Sequence, residues 1–137
     1  MNRGEVVDAL AQLSWHVQSS IGDAAAAHGI STSQLRLLGI LRDRQPEMLA
    51  LARYLRLDKS SVSGLVSRAE SRGLLERIPL ASDGRRVAVR LTASGRALAA
   101  ELEADVQKQL APLIDAMSDD EQSAFVSLVA SRTPTPD

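Results

Sequence analysis

Between Gly73 and Thr92 the spacing of apolar residues changes, and on either side of that window it is helical. Up to Gly73 apolar residues recur every three or four positions. Within the window Val87, Val89 and Leu91 alternate with Ala88 and Arg90, and from Thr92 the helical spacing resumes. One short stretch of period 2 in a chain of 137 residues makes a single hairpin, so the fold has to be helical with a small β element. Only Trp15, Tyr54 and Phe125 are aromatic, which leaves a core of Leu, Val, Ile and Ala. That mix favours helices and disfavours an all-β sandwich, and the length suits one domain.

The helical stretches carry their own end signals. From Glu5 to His28, Val6, Leu10, Leu13, Val17, Ile21 and Ala24 form one stripe, closed by Gly29 as a left-handed cap. Ser31 stands three residues before Gln34, a capping-box spacing, and Leu35 and Leu38 carry a second helix to about Asp43. Pro46 suits the first position of a short third helix through Met48, Leu51, Ala52 and Leu55. Asp58 precedes a fourth with Val62, Leu65, Val66 and Ala69 on its apolar arc, ended by Gly73. The hairpin runs from Leu75 to Leu91 with Asp83-Gly84 at its tip and Pro79 at the end or outer edge of its strand. Thr92 caps a fifth helix of about 25 residues, with Pro112 expected to kink it. Ser118 and Glu121 form a capping box that opens a sixth, through Phe125, Leu128 and Val129, before a frayed tail from Thr133 to Asp137.

The net charge of −1 conceals a strong division along the chain. Arg42 to Arg96 holds 12 of the 16 basic residues and 6 of the 17 acidic ones, a balance of +6, and the flanks carry −7. The centre alone suits a polyanion. With no cysteine there is no disulfide, thiolate metal site, thiol redox sensor or cysteine nucleophile. No Gly-x-Ser-x-Gly, glycine-rich phosphate loop or His-Glu-x-x-His is present, so nothing supports catalysis, and no cofactor is implied. Glu5 and Asp8 interrupt any leader-like apolar run and no segment reaches 18 apolar residues, so the expectation is a cytoplasmic protein without a membrane partner.

Two short helices, a turn, a third helix and a hairpin follow the order of a winged helix-turn-helix, whose second helix of the pair enters the DNA major groove. Residues 31–91 are expected to form this DNA-binding domain, and 1–30 with 92–137 a helical dimerisation region. The fold class is mainly α with a small β-hairpin wing. On the fourth helix the arc opposite the apolar one holds Ser60, Ser63, Gly64, Ser67 and Ser71, with Arg68 beside it. Serine and glycine weaken a helix by roughly 0.3–1 kcal/mol each relative to alanine, so an outer face this small implies close approach of a partner. Serine hydroxyls donate and accept towards bases or phosphates, while Lys59 and Arg68 supply charge. Arg85 and Arg86 follow the turn at Asp83, on a narrow tip suited to a minor groove, with Arg77 and Arg90 on the same ribbon. The candidate DNA-binding residues are thus Lys59, Ser60, Ser61, Ser63, Gly64, Ser67, Arg68, Arg77, Asp83, Arg85 and Arg86.

The run from Ala52 to Ser63 (ARYLRLDKSSVS), Arg72-Gly73-Leu74-Leu75-Glu76-Arg77, Asp83-Gly84-Arg85-Arg86 and Leu91-Thr92 resemble, in this order and spacing, the MarR family of transcriptional regulators. The resemblance spans nearly the whole chain. It implies a homodimer held by the first helix and the last two, which binds a roughly palindromic operator of double-stranded DNA and usually represses, often until a small ligand binds. It also implies that Asp58 pairs with a wing arginine, Arg85 or Arg86, linking recognition helix to wing. The chain departs from the family pattern at Gly64, where many relatives carry a larger polar or basic residue. It departs again at Glu47 to Leu49, where a Ser or Thr cap is missing. The competing use of such a domain is protein contact, with wing and serine face meeting an acidic partner.

Trp15 lies off the main stripe of the first helix, either as a dimer contact or as a wall of an effector pocket in which Arg36 receives an aromatic or anionic small molecule. His16 and His28 are about 18 Å apart along one helix and cannot share a metal within one chain. His28 is expected to be structural.

Overall fold

The computed structural model describes residues 1–133, so the last four residues of the expected tail lie outside the described part. Six helices and one hairpin follow in the order α1 (Arg3–Ala27), α2 (Thr32–Leu41), α3 (Met48–Leu55), α4 (Lys59–Ser71), β1 (Leu75–Pro79), β2 (Val87–Leu91), α5 (Ala93–Asp115) and α6 (Asp119–Arg132). The mainly α winged helix-turn-helix with long flanking helices is the architecture found.

Local chemistry sets most of the boundaries. α1 begins two residues before the expected start because Asn2 and Glu5 form a reciprocal capping box: Glu5 N donates to Asn2 Oδ1 at 2.9 Å and Asn2 N to Glu5 Oε2 at 2.7 Å. The box at Ser118 and Glu121 is complete, whereas Ser31 makes only half of one. Ser31 accepts from Gln34 N at 3.1 Å, but the Gln34 side chain turns inward and its Nε2 donates to Leu65 O on α4 at 3.1 Å. Pro46 precedes the N-cap of α3 and is not its first residue, because its carbonyl accepts from Val89 N at 2.9 Å. That bond and a bridge between Glu47 and Ala88 make residues 46–47 a rudimentary third strand on the free edge of β2. Ala88 is buried for the same reason, although strict alternation would place it outside.

β1 and β2 pair antiparallel from Leu75 opposite Leu91 to Pro79 opposite Val87, with the proline at the last rung, where a missing donor matters least. Leu37, Leu38, Leu51, Val62, Val66, Leu75 and Val89 are sealed in one core formed by α2, α3, α4 and the hairpin. α5 closes that core with Ala99 and Leu102 and runs on through Pro112. His28 at the end of α1 hydrogen-bonds Asp105 on α5 at 2.7 Å, which bears out its structural role. α1 buries only Ser20, Ala24 and Ala25, and α6 buries nothing. Val6, Val7, Leu10, Trp15, Phe125, Val126 and Leu128 are exposed in the single chain.

α5 starts in contact with the turn after α4. Thr92 Oγ1 donates to Gly73 O at 2.5 Å, Thr92 N donates to Leu74 O at 3.1 Å, and Gly95 N donates back to Thr92 Oγ1 at 3.1 Å. A Cβ on Gly95 would lie 1.8 Å from Leu74 O, a backbone atom that no rotamer change can move. Gly95→Ala therefore displaces α5 from the winged domain. It is expected to destabilise the protein by about 1–3 kcal/mol, read as a lowered urea midpoint; an unchanged midpoint would show that the approach is not this close.

Candidate nucleic-acid interface

α4 owes its start to Asp58, whose carboxylate accepts from Ser61 N at 2.8 Å and Ser61 Oγ at 3.1 Å. The backbone bond, followed by the hydroxyl, holds the Asp58 carboxyl below the usual carboxylate range. The expected link from Asp58 to Arg85 or Arg86 is not made. Asp58 is used by its own helix, Arg85 Nε pairs with Asp83 at 2.8 Å, and Arg86 holds the Glu47 carboxylate through both Nε and Nη2. α4 and the hairpin are instead joined by Arg77, whose Nη2 donates to Ser67 Oγ at 2.9 Å and reaches Ser63 O at 3.5 Å. Arg77 thus braces α4 from the side, and one lone pair of Ser67 is occupied.

Val62, Leu65, Val66 and Ala69 turn inward, leaving Lys59, Ser60, Ser61, Ser63, Ser67 and Arg68 exposed. Ser60 and Ser63 have hydroxyls with no partner among the described residues, whereas Ser61 donates to Asp58. Gly64 is half-buried, and a Cβ there would stand 3.2 Å from Arg68 Nη1. The glycine leaves room for that guanidinium to lie along the helix, which gives a local reason for the departure from the family pattern.

α4 is a ridge between two depressions. On one side a groove of about 460 Å³ is lined by Glu47, Met48, Lys59, Ser63, Arg85 and Arg86, so α3, α4 and the wing share it. On the other, a hollow of about 350 Å³ is lined by Ser33, Ser60, Ser61, Gly64 and Arg68. The wing loop is shaped by Gly84 at φ +74°, by Arg85 N donating to Asp83 Oδ1 at 3.1 Å, and by Leu80 N donating to Arg86 O at 2.8 Å. Asp83 thereby orders the tip, which leaves Arg85 85% exposed. Arg90 is paired with Glu76 at 2.5 Å. Glu47 carries no mark of a site in the sequence beyond the missing cap; only the fold brings it to Arg86.

Trp15 and Arg36 stand on different helices, α1 and α2. Trp15 is 68% exposed on α1, and Arg36 donates to Tyr54 O at 2.7 Å and Leu55 O at 3.3 Å. Those carbonyls end α3, where Arg56 takes a left-handed turn at φ +54°, so Arg36 is a helix-end clamp. A mostly apolar cavity of about 270 Å³ lies instead between α1, α2 and α5, lined by Ile21, Leu35, Leu38, Arg42, Leu102, Glu103 and Val106. Arg42 Nη1 meets Glu103 at 2.8 Å on its rim. Leu35, Leu38 and Arg42 share one helix face, a spacing that was visible in the sequence. Among the described residues no cluster of three or more His, Cys, Asp or Glu could hold a metal, and no helix is long and apolar enough to cross a membrane.

Residues 28–86 match the MarR family model. No curated protein matches the chain. Among solved structures, NadR in complex with 4-hydroxyphenylacetate is 22% identical with a TM-score of 0.80, covering 92% of this chain and 90% of that one. Wild-type MarR from E. coli in its apo form is 21% identical with a TM-score of 0.73, covering 98% of each chain. S. aureus MepR in its DNA-binding conformation is 20% identical with a TM-score of 0.77, covering 92% of this chain and 94% of that one. At these identities the likeness establishes the fold.

The Asp58 cap has a pH signature. Asp58→Asn keeps an acceptor but no charge. Because the folded carboxyl titrates below its unfolded value of about 3.9, the wild type's advantage over Asp58→Asn is full above about pH 5 and fades as pH falls through the folded value. Urea unfolding of both proteins from about pH 3 to 6 measures it, and a gap independent of pH would overturn the assignment.

Proposed function

We propose that this chain, whose winged domain matches the MarR family and whose whole backbone takes that fold, is a homodimeric DNA-binding transcriptional regulator that represses at a roughly palindromic operator. The observation that carries this is the juxtaposition around α4. A helix with a small-residue outer face stands as a ridge, with Lys59 and Ser63 on a groove shared with Arg85 and Arg86, and Arg68 on the other flank. α4 enters the major groove by its N-terminal turns, where Ser60 and Ser63 offer free hydroxyls to base edges. Lys59, Arg68 and the wing arginines face phosphates and the adjacent minor groove. Ser67 and Arg77 support that face from behind.

The long helices supply the second copy. Val6, Val7, Leu10, Phe125, Val126 and Leu128 expose apolar surface from α1 and α6 that one chain leaves uncovered. Two copies joined there set two α4 helices about one DNA turn apart. NadR was solved with an aromatic carboxylate, and the cavity between α1, α2 and α5 offers apolar walls with Arg42 at the rim. A small aromatic or anionic effector in that cavity releases the operator, with Arg42 as the cation that meets its carboxylate, in place of Arg36.

Two measurements test the reading. In sedimentation at micromolar concentration the protein should be a dimer, and Leu128→Asp should shift it towards monomer with its helix content kept; a monomeric wild type would exclude the paired operator. With an operator selected from random duplexes, Lys59→Ala should weaken binding to every duplex and lower the salt slope by about one. Ser63→Ala should mainly reduce preference for the operator, by about 1–3 kcal/mol. Equal losses on operator and random DNA for the serine variant would show that α4 does not read bases through it.

A further inference from the structure

Of the described residues lining the groove between α3, α4 and the wing, Glu47 alone is acidic. As the N-cap of α3 it makes no side-chain bond to its own helix. Its carboxylate goes instead to Arg86, where Oε1 accepts from both Nε and Nη2. The side chains are 40% and 63% exposed, so the pair stands in solvent at the groove mouth. Lys59, Ser63 and Arg85 line the same space.

We propose that Glu47 is a built-in competitor for phosphate: in the free protein its carboxylate occupies the edge of Arg86 that a DNA phosphate would take, so the wing gains that contact only by displacing Glu47. This rests on the DNA-binding function proposed above and names the residue that restrains it. The Nε and Nη2 edge of a guanidinium is the fork that holds carboxylate and phosphate alike, so the two anions exclude each other there.

Glu47's side chain is not needed to seat the wing. The backbone already does so, through Val89 N to Pro46 O at 2.9 Å, the bridge between residue 47 and Ala88, and Leu80 N to Arg86 O at 2.8 Å across the loop. What the side chain adds is charge, one negative group that cancels one wing cation. Sequence-independent affinity grows with the number of phosphates neutralised, so cancelling one lowers binding to any duplex and leaves more of the outcome to base contacts.

The test is duplex binding against salt for the full chain, with Glu47→Gln, Arg86→Ala and the double variant, all checked for unchanged melting. Glu47→Gln should bind a random duplex about threefold or more tighter at roughly 50 mM salt, with a log–log slope close to that of the wild type, because Arg86 reaches phosphate in both complexes. In the Arg86→Ala background the same change should give little gain. In the free protein, the Arg86 Nε–H proton should exchange slowly with solvent in the wild type and quickly in Glu47→Gln. Binding by Glu47→Gln that is equal to or weaker than wild type overturns the inference, as does a gain that persists without Arg86, which would be general repulsion. If no variant binds any duplex, the DNA-binding function falls as well; measurable but equal binding removes this inference alone.

Discussion

Two hydrogen bonds and one absent side chain join the two halves of the molecule at Thr92 and Gly95. The Thr92 hydroxyl and amide take the carbonyls of Gly73 and Leu74, and Gly95 lets the first turn of α5 lie against the Leu74 backbone. Four ends meet there: the C-terminus of α4, the start of β1, the end of β2 and the start of α5. The hairpin register from Leu75 opposite Leu91 follows from that junction, as does the angle at which α5 leaves the winged domain. Because the contact is between backbones, it has little give. The start of α5 is therefore packed backbone to backbone against the turn that ends α4.

Charge is distributed to match. Arg42 is matched by Glu103 and Asp43 and Arg90 by Glu76 across the hairpin, whereas Arg96 at the start of α5 donates to the Leu91 carbonyl. Around α4, Lys59 and Arg68 have no carboxylate partner among the described residues, and the partners of Arg85 and Arg86 are exposed neighbours. Exposed pairs of this kind contribute little stability and are screened by salt, so a dense polyanion can exchange with them.

What was legible in the sequence was whatever acts over three or four residues. The caps at Ser31, Asp58, Thr92 and Ser118 stood where their spacing placed them, as did the left-handed glycines at Gly29, Gly73 and Gly84. The Asn2 box obeys the same rule. The misses share a different character, since each concerns a long side chain choosing among distant partners. Arg36 clamps carbonyls 18 and 19 positions away, Arg86 takes Glu47 across 39, and Gln34 prefers Leu65 O across 31 to its own helix start. Asp58 illustrates the competition. Its local cap bond is available as soon as the helix forms, and the wing arginines found acids nearer to them. Pairing a cation with one of several acids is decided by backbone placement, which periodicity does not encode.

Placement also constrains how an effector can act on the proposed regulator. A ligand between α1, α2 and α5 touches the element fused to the winged domain at Gly95 and, through α2, the buried Gln34 bond to Leu65 of α4. In the proposed dimer such a ligand would act by favouring one separation of the two subunits over another, at the surfaces where α1 and α6 bury little within their own chain. Tight binding alone does nothing here, since a ligand with equal affinity for both separations shifts neither. A coupling of about 1–3 kcal/mol needs only a small difference in cavity shape between them. Arg42 would be the residue to sense that difference, because its ion pair with Glu103 joins the end of α2 to α5 across the cavity rim.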